Sequence, residues 1–419
     1  MNAPRAAAAL RHRNFRLFWS GQLVSLVGTW MQTVAQGWLV LTLTNDPVAL
    51  GIAAACQFTP ILLFGLFGGI LADALPKRQT LIATQSTSLL LALALGILVA
   101  TGTVQVWHVY LLAIGLGLVN AVDMPVRQAF AVEMVGREDI ANAVALNSAV
   151  FNGARIVGPA LAGILIGIVG IAACFFLNAI SYVAVIAAYL LMRETELRPA
   201  ARIAMAHTIG GVIDQLGEGL SYVRRTPIPR LALTTLGIVS LVGMNFSVLM
   251  PVFAQNVLGG DATTFGFLLA ASGVGSISAA IHIANGLRPT LRLVVGAATS
   301  FGAALLALSF AHQVIVALPL MLILGWSVIA MAATTNTLIQ VLVPDELRGR
   351  VLSIYTTVFA GSTPIGGLLV GSIAGLFGVS AALAFGGVVS LGTAGIAALR
   401  VRAMPDGTGD ARSFVRGLR

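Results

Sequence analysis

Runs of about 20 or more mainly apolar residues follow one another along this chain, separated by short polar turns. Their approximate limits are 17–44, 48–72, 79–101, 106–126, 141–168, 170–192, 231–257, 263–284, 292–311, 313–336, 349–376 and 379–400. Each is long enough to cross a bilayer as a helix, so the pattern predicts an all-α membrane protein with twelve transmembrane helices. The first run carries an exception. Residues 20–38 read SGQLVSLVGTWMQTVAQGW, and Gln22, Ser25, Thr29, Gln32, Thr33 and Gln36 fall within an arc of roughly 100° on a helical wheel. A polar stripe in lipid has to face something other than lipid.

Composition supports the membrane reading and charge orients it. The 419 residues are 58% hydrophobic and 9% charged, with a mean hydropathy of +0.95, whereas soluble domains carry roughly 25% charged residues. The net charge of +9 is distributed by topology. With the N-terminus in the cytoplasm, Lys77, Arg78, Arg127, Arg137, the cluster from Arg193 to Arg230, Arg288, Arg292, Arg348, Arg350 and the C-terminal arginines all fall on the cytoplasmic side. The outer loops near 45–47, 102–105, 258–262 and 312 carry no Lys or Arg. Both termini are therefore expected in the cytoplasm, and the basic excess is no nucleic-acid footprint. The first run follows Arg5, Arg11, Arg13 and Arg16, but it is too long for a signal-peptide core of ~7–15 residues and is expected to be a retained span. Cys56 and Cys174 sit in separate apolar runs and imply neither a disulfide framework nor a metal cluster.

The polar connection 193–230 divides the chain. Ile209, Val212, Ile213, Leu216, Leu220 and Val223 recur at helical spacing, which predicts an amphipathic helix on the inner leaflet with Arg224 and Arg225 at lipid phosphates. The expected organisation is a basic arm (1–16), an N-terminal six-helix bundle (17–192), this loop (193–230), a C-terminal six-helix bundle (231–400) and a basic tail (401–419). The arms read as solvated or surface-associated tails. The halves echo each other: Leu43 to Gly51 around Asp46 matches Leu258 to Gly266 around Asp261, and REDIANAV (137–144) matches PDELRGRV (344–351), each before a helix with a central proline, Pro159 or Pro364. Order and direction are kept, so the repeat is parallel, as in transporters whose halves rock about a midplane site.

After the second span stands Gly69-Ile-Leu-Ala-Asp73-Ala-Leu-Pro-Lys77-Arg78, which resembles the major facilitator superfamily signature Gly-x-x-x-Asp-x-x-x-Arg/Lys-Arg/Lys. VDMPVRQA (122–129), the run 141–163 and LRGRVLSIY (347–355) resemble the exporter branch that includes the enterobactin exporter and macrolide efflux proteins. The resemblance implies a conformational latch: Asp73 engages the start of span eleven, and, when the protein is open outward, Lys77 or Arg78 pairs with an acid of span four, for which Asp123, beside Arg127, is the candidate. The second half has Asn285 at the acid position, so its latch is weak or absent. Gly158-Pro159-Ala-Leu-Ala162-Gly163 partly resembles the antiporter motif, with Ala154 and Ala162 replacing glycines. Physically, Pro159 and the small residues make a thin, pliant helix.

Arg155 is the charge that raises the sharpest question, because at 1.5 Å per residue it lies about 20 Å deep, where an arginine costs at least about 2.5–3.5 kcal/mol. Gln57, Asn245 and Ser362 share that depth with the stripe. Together they are expected to line a water-filled cavity, with Arg155 either in its wall or acting as a strut hydrogen-bonded to Asn152, Asn120 or a span-one glutamine. No Asp or Glu is expected at mid-depth, since the same count puts Asp123 only about 6 Å from the cytoplasmic end. The proton antiport implied by the family therefore has Asp123 as its carrier by default. His282 reads as a packing residue, and His108 and His312 as interfacial ones.

A phosphate-binding loop needs a lysine after glycine, and the one lysine, Lys77, lies in LPKRQT. An ATP-driven pump within this chain is excluded. No His-Glu-x-x-His and no Gly-x-Ser-x-Gly occurs, so no enzyme is expected. The expected function is a secondary active exporter of small amphipathic molecules (siderophore, antibiotic or metabolite) in the bacterial inner membrane. It needs no cofactor or metal, draws on a proton gradient, contacts lipids but not nucleic acid, and acts as a monomer with room for a periplasmic or outer-envelope partner. An importer of the same fold and a passive channel or scramblase are the alternatives.

Overall fold

The computed structural model describes residues 5–198 and 209–404, with the side chains of 5–7, 66–74, 137, 209–216 and 360 outside the description. The described chain is helical nearly throughout. After a short 3-10 helix (Arg5–Arg11) come α1 (Arg13–Thr44), α2 (Pro47–Ala74), α3 (Lys77–Ala100), α4 (Val106–Ile168) and α5 (Ile171–Leu190). The second part holds α6 (Ile209–Arg225), α7 (Pro227–Gly243), α8 (Phe246–Asn256), α9 (Ala262–Ala284), α10 (Leu291–Leu308), α11 (Val314–Leu342), α12 (Asp345–Phe377) and α13 (Val379–Arg402).

Among the described residues, eleven helical stretches are long and apolar enough to cross a membrane. The expected first span forms the 32-residue α1 but is not among them, because its amides and hydroxyls dilute its apolar content. Two expected boundaries also move. The basic turn placed between spans four and five is helical, and α4 runs through it with only Gly136 leaving helical geometry, at φ 72° and ψ 179°. That backbone region suits glycine, which has no Cβ to clash. Conversely, the run 231–257 forms two helices, α7 and α8, interrupted at Met244 and Asn245.

The chain clusters into two compact units. The first comprises Met1–Asn45, Cys56–Met205 and Asp261–Ala270. Within it α1 packs on α4 and α5, and α3 packs on the same two helices. At one end Phe15, Phe18, Phe130 and Tyr189 form an aromatic cluster with centroids 6.0 to 6.3 Å apart. The described part of the N-terminal arm is docked there: the Ala9 N–H donates to Asn142 Oδ1 at 2.9 Å, His12 Nε2 lies 2.8 Å from Asp139 Oδ2, and Asn14 exchanges two hydrogen bonds with the Arg193 backbone. From Ala9 onward, then, the arm is packed rather than loose.

The second unit comprises Asp46–Ala55, Ala206–Gly260 and Ala271–Arg419. Here α10 packs between α11 and α13, α7 lies against α12 and α13, and α6 lies along α12, where Glu218 and Arg350 form an ion pair. The sequence echo is visible inside each unit. Asp46 Oδ1 accepts the Val48 N–H at 2.8 Å and Asp261 Oδ1 accepts the Thr264 N–H at 3.0 Å, so both aspartates cap the helix that follows. The Thr264 N–H holds the Asp261 carboxyl below its ordinary range. Five residues on, Gly51 lies against the Gly367 backbone and Gly266 against the Pro159 carbonyl. At both places a Cβ has no room, so backbones approach closely.

Candidate functional site

The polar stripe of α1 turns inward in the first unit. Gln22, Ser25, Gln32 and Gln36 are buried, and Thr29 and Thr33 return their hydroxyls to the carbonyls of Ser25 and Thr29. Gln36 Nε2 donates to Gln57 Oε1 at 3.2 Å, and Asn178 Nδ2 donates to Gln32 Oε1 at 2.6 Å. Gly28 makes the second contact possible, because a Cβ there would strike the Asn178 and Ser181 side chains. The stripe lines a cleft with Gln57, Gln85, Ser88, Asn120, Arg127 and Tyr182. Its volume is about 70 Å³, room for a few waters at ~30 Å³ each and well below the ~300–1,000 Å³ of a drug-sized site.

One end of this cleft carries an ion pair whose acid is buried and whose base is half-buried. Asp123, 1% exposed, is bonded to Arg127 one turn away and accepts from Thr84 Oγ1 at 2.7 Å and Gln85 Nε2 at 2.8 Å. Arg127 Nη1 also donates to Gln22 Oε1 at 2.9 Å. Three buried polar atoms around the pair, Gln22 Nε2, Gln85 Oε1 and Tyr189 OH, have no hydrogen-bond partner among the described residues. Such atoms are what a bridging water satisfies.

The sequence reading misplaced this acid. Because α4 continues to Gly136, Asp123 lies 13 residues from the break, about 20 Å at 1.5 Å per residue rather than the expected 6 Å. A carboxylate is therefore present at depth. Asp123 is not the partner of the motif bases either: Lys77 Nζ meets Glu133 Oε1 at 2.8 Å, ten residues further along α4. Arg78 instead caps α5, donating to the Tyr189 carbonyl at 2.7 Å and the Leu190 carbonyl at 3.1 Å, and pairs with Glu194. A cation at the carbonyl end of a helix is favourable. The side chains of Gly69 and Asp73 lie outside the described residues.

Arg155 is not in the cleft lining. Its guanidinium sits 5.7 Å from the Trp30 ring centroid, and among the described residues no hydrogen bond or ion pair reaches it. Asn152 bonds the Ser148 carbonyl of its own helix, so the expected strut does not form. The cation that reaches the cleft is Arg127. Gly158 fits against Trp30 and Val27, and Gly163 against Ala262 and Thr263, with buried Pro159 between them. Asn245 and Ser362 belong to the second unit, where Asn245 donates to the Leu241 carbonyl of α7 and lies against Gly366, and Ser362 bonds the Phe359 carbonyl of its own helix.

Sequence reasoning missed Gln85, Ser88, Glu133, Asn178 and Tyr182, and named Asn120 only as a partner for Arg155. A signal was available for some: Asn120, Asp123 and Arg127 are three, four and seven apart on α4, and Asn178, Tyr182 and Tyr189 are four, seven and eleven apart on α5, which places each set on one helix face.

The sequence profile described as transmembrane secretion effector matches residues 5–414. The chain is 29% identical over 370 residues to the staphyloferrin A transporter of Staphylococcus aureus, covering 87% of this chain and 90% of that protein. It is 28% identical to the multidrug efflux pump Tap of Mycolicibacterium fortuitum, covering 86% and 88%. A third relative is the enterobactin exporter EntS of Shigella boydii, 21% identical with coverage of 86% and 85%. Among solved structures, a bacterial homologue of the human lysosomal transporter Spinster superposes with a TM-score of 0.71 at 13% identity, covering 99% of each chain.

Proposed function

This chain belongs to the transmembrane secretion effector family of the major facilitator superfamily, whose relatives here are small-molecule transporters, and on that premise we propose that it is a proton-coupled exporter of small amphipathic molecules working by alternating access. It carries such cargo across the bacterial inner membrane through two six-helix halves, with α1 as the twelfth span and both termini in the cytoplasm. The distribution of Lys and Arg supports that topology. The names of the relatives favour siderophores or drug-like compounds as cargo.

The observation that carries the reading is the Asp123–Arg127 pair at one end of an amide-lined cleft. Buried ionisable groups in membrane proteins are costly, and they mark ion or substrate pathways. Asp123 is the proton carrier: protonation removes its charge, breaks the ion pair and biases the bundle toward a second arrangement, and the Gln22 and Gln85 amides re-bond as it does so. Gln32, Gln36, Gln57, Thr29 and Thr33 form the polar wall that cargo meets when the cleft widens. Lys77–Glu133 and Arg78 on α5 brace the cytoplasmic end, in which Gly69 and Asp73 complete the latch.

Everted vesicles loaded through an imposed pH gradient test this with a panel of siderophores, macrolides, dyes and organic acids. The wild type is expected to accumulate cargo against its gradient, and Asp123→Asn to retain only equilibrating exchange. Full uphill transport by Asp123→Asn would move the carrier elsewhere; equilibration alone by the wild type would favour a passive facilitator.

A further inference from the structure

Arg155 stands apart from the cleft and from the Asp123–Arg127 pair at its end. It lies 17 residues from Glu138 and 13 from Ile168 in the second stretch of α4, roughly 26 Å and 20 Å along the axis, at depth within a membrane span. An arginine there is costly, and it is retained only where something compensates its charge. The partial compensation is visible: Trp30 covers one face of the guanidinium, and Phe151 meets Trp30 edge-on at 5.8 Å and 68°. Gly158, one turn along, leaves room for the Trp30 Cβ, so the two helices approach closely here.

The Arg155 guanidinium stands over the Trp30 ring, its carbon 5.7 Å from the ring centroid. Its N–H donors lie in the plane, and among the described residues none is bonded. A planar fork of N–H donors over an aromatic ring, with no carboxylate of its own among the described residues, suits an oxyanion that can take two of those donors. Asp123 does not neutralise it, being already paired with Arg127. We propose that Arg155, seated on Trp30, is an oxyanion-binding site that receives the carboxylate, sulfonate or phosphate group of an amphipathic cargo, whose apolar body lies along Trp30 and Phe151. This rests on the export reading for its cargo. The same chemistry would also accept a lipid phosphate.

Purified full-length protein separates these sources through unfolding temperature. The probes are 1-naphthalenesulfonate, charged at every usable pH, and its neutral counterpart 1-naphthalenesulfonamide. The sulfonate is expected to stabilise the wild type and the sulfonamide not to. Arg155→Met should weaken sulfonate binding by at least about tenfold, and Arg155→Lys, which keeps the charge but not the fork, should fall between. Since among the described residues no hydrogen bond or ion pair reaches Arg155, Arg155→Met is expected to unfold at the same or a higher temperature without probe; a marked loss of stability would make it a strut and overturn the proposal, as would sulfonate binding unchanged in Arg155→Met. Reconstitution in phosphatidylcholine alone and in an equal mixture with phosphatidylglycerol supplies the lipid arm. A sulfonate effect abolished by phosphatidylglycerol would assign the site to lipid and overturn the cargo reading. Ethidium efflux in everted vesicles, measured beside it, reports on export itself: efflux without sulfonate recognition sinks the site alone, and sulfonate recognition without efflux leaves the site and sinks the exporter.

Discussion

At the scale of single residues, the strongest constraint is the pairing of Asp123 with Arg127. Removing one member of a buried pair strands the other charge, which costs about 3–5 kcal/mol, whereas neutralising both leaves hydrogen-bonding groups of similar shape. Arg127→Gln is therefore expected to lower the thermal unfolding temperature in detergent markedly, and Asp123→Asn combined with Arg127→Gln to recover most of the loss. A double variant no more stable than Arg127→Gln would show that the two charges do not sustain each other. This pair also marks the limit of sequence reading. Arg127 looked like the end of a span because a lone arginine belongs at a membrane surface, but at i and i+4 the two side chains neutralise each other and the helix continues past them. The polar stripe was legible because a helical wheel needs no partner information. Its partners Asn178, Gln85 and Tyr182 come from other helices, and only tertiary packing brings them to it.

Helices as elements were readable to within a few residues, since apolar length and turn chemistry act locally. The exceptions have local causes: a single glycine at positive φ divides α4, and Met244 with Asn245 divides α7 from α8. Contacts made by small residues were less legible, as glycine is common in membrane helices regardless of role. The structure singles out Gly51, where a new Cβ would come within 2.6 Å of the Gly367 carbonyl oxygen. Gly51→Leu is expected to overpack this contact by about 1–3 kcal/mol, lowering the unfolding temperature of the full chain. Gly65→Leu, with nothing within 4 Å of its Cβ position among the described residues, is the matched control and should change little. Equal effects at both positions would count against close approach as the reason for glycine at 51.

For the whole molecule, the duplication seen in sequence survives as matched aspartate caps and matched close-packed glycines in the two units. What sequence offered beyond that was orientation, through charge rather than shape. Reporter fusions at either terminus are expected to be active only as cytoplasmic markers, and a periplasmic signal from one end would require an odd number of crossings and remove α1 from the membrane. That helix is the weak member of the set, because the amides that line the cleft leave it less apolar than the eleven other stretches. Biogenesis must then be cooperative. As the nascent chain emerges, α1 has to wait at the insertion machinery until α4 and α5 arrive to shield its glutamines, so chains cut short after α2 should be released or degraded while those extending through α5 are held.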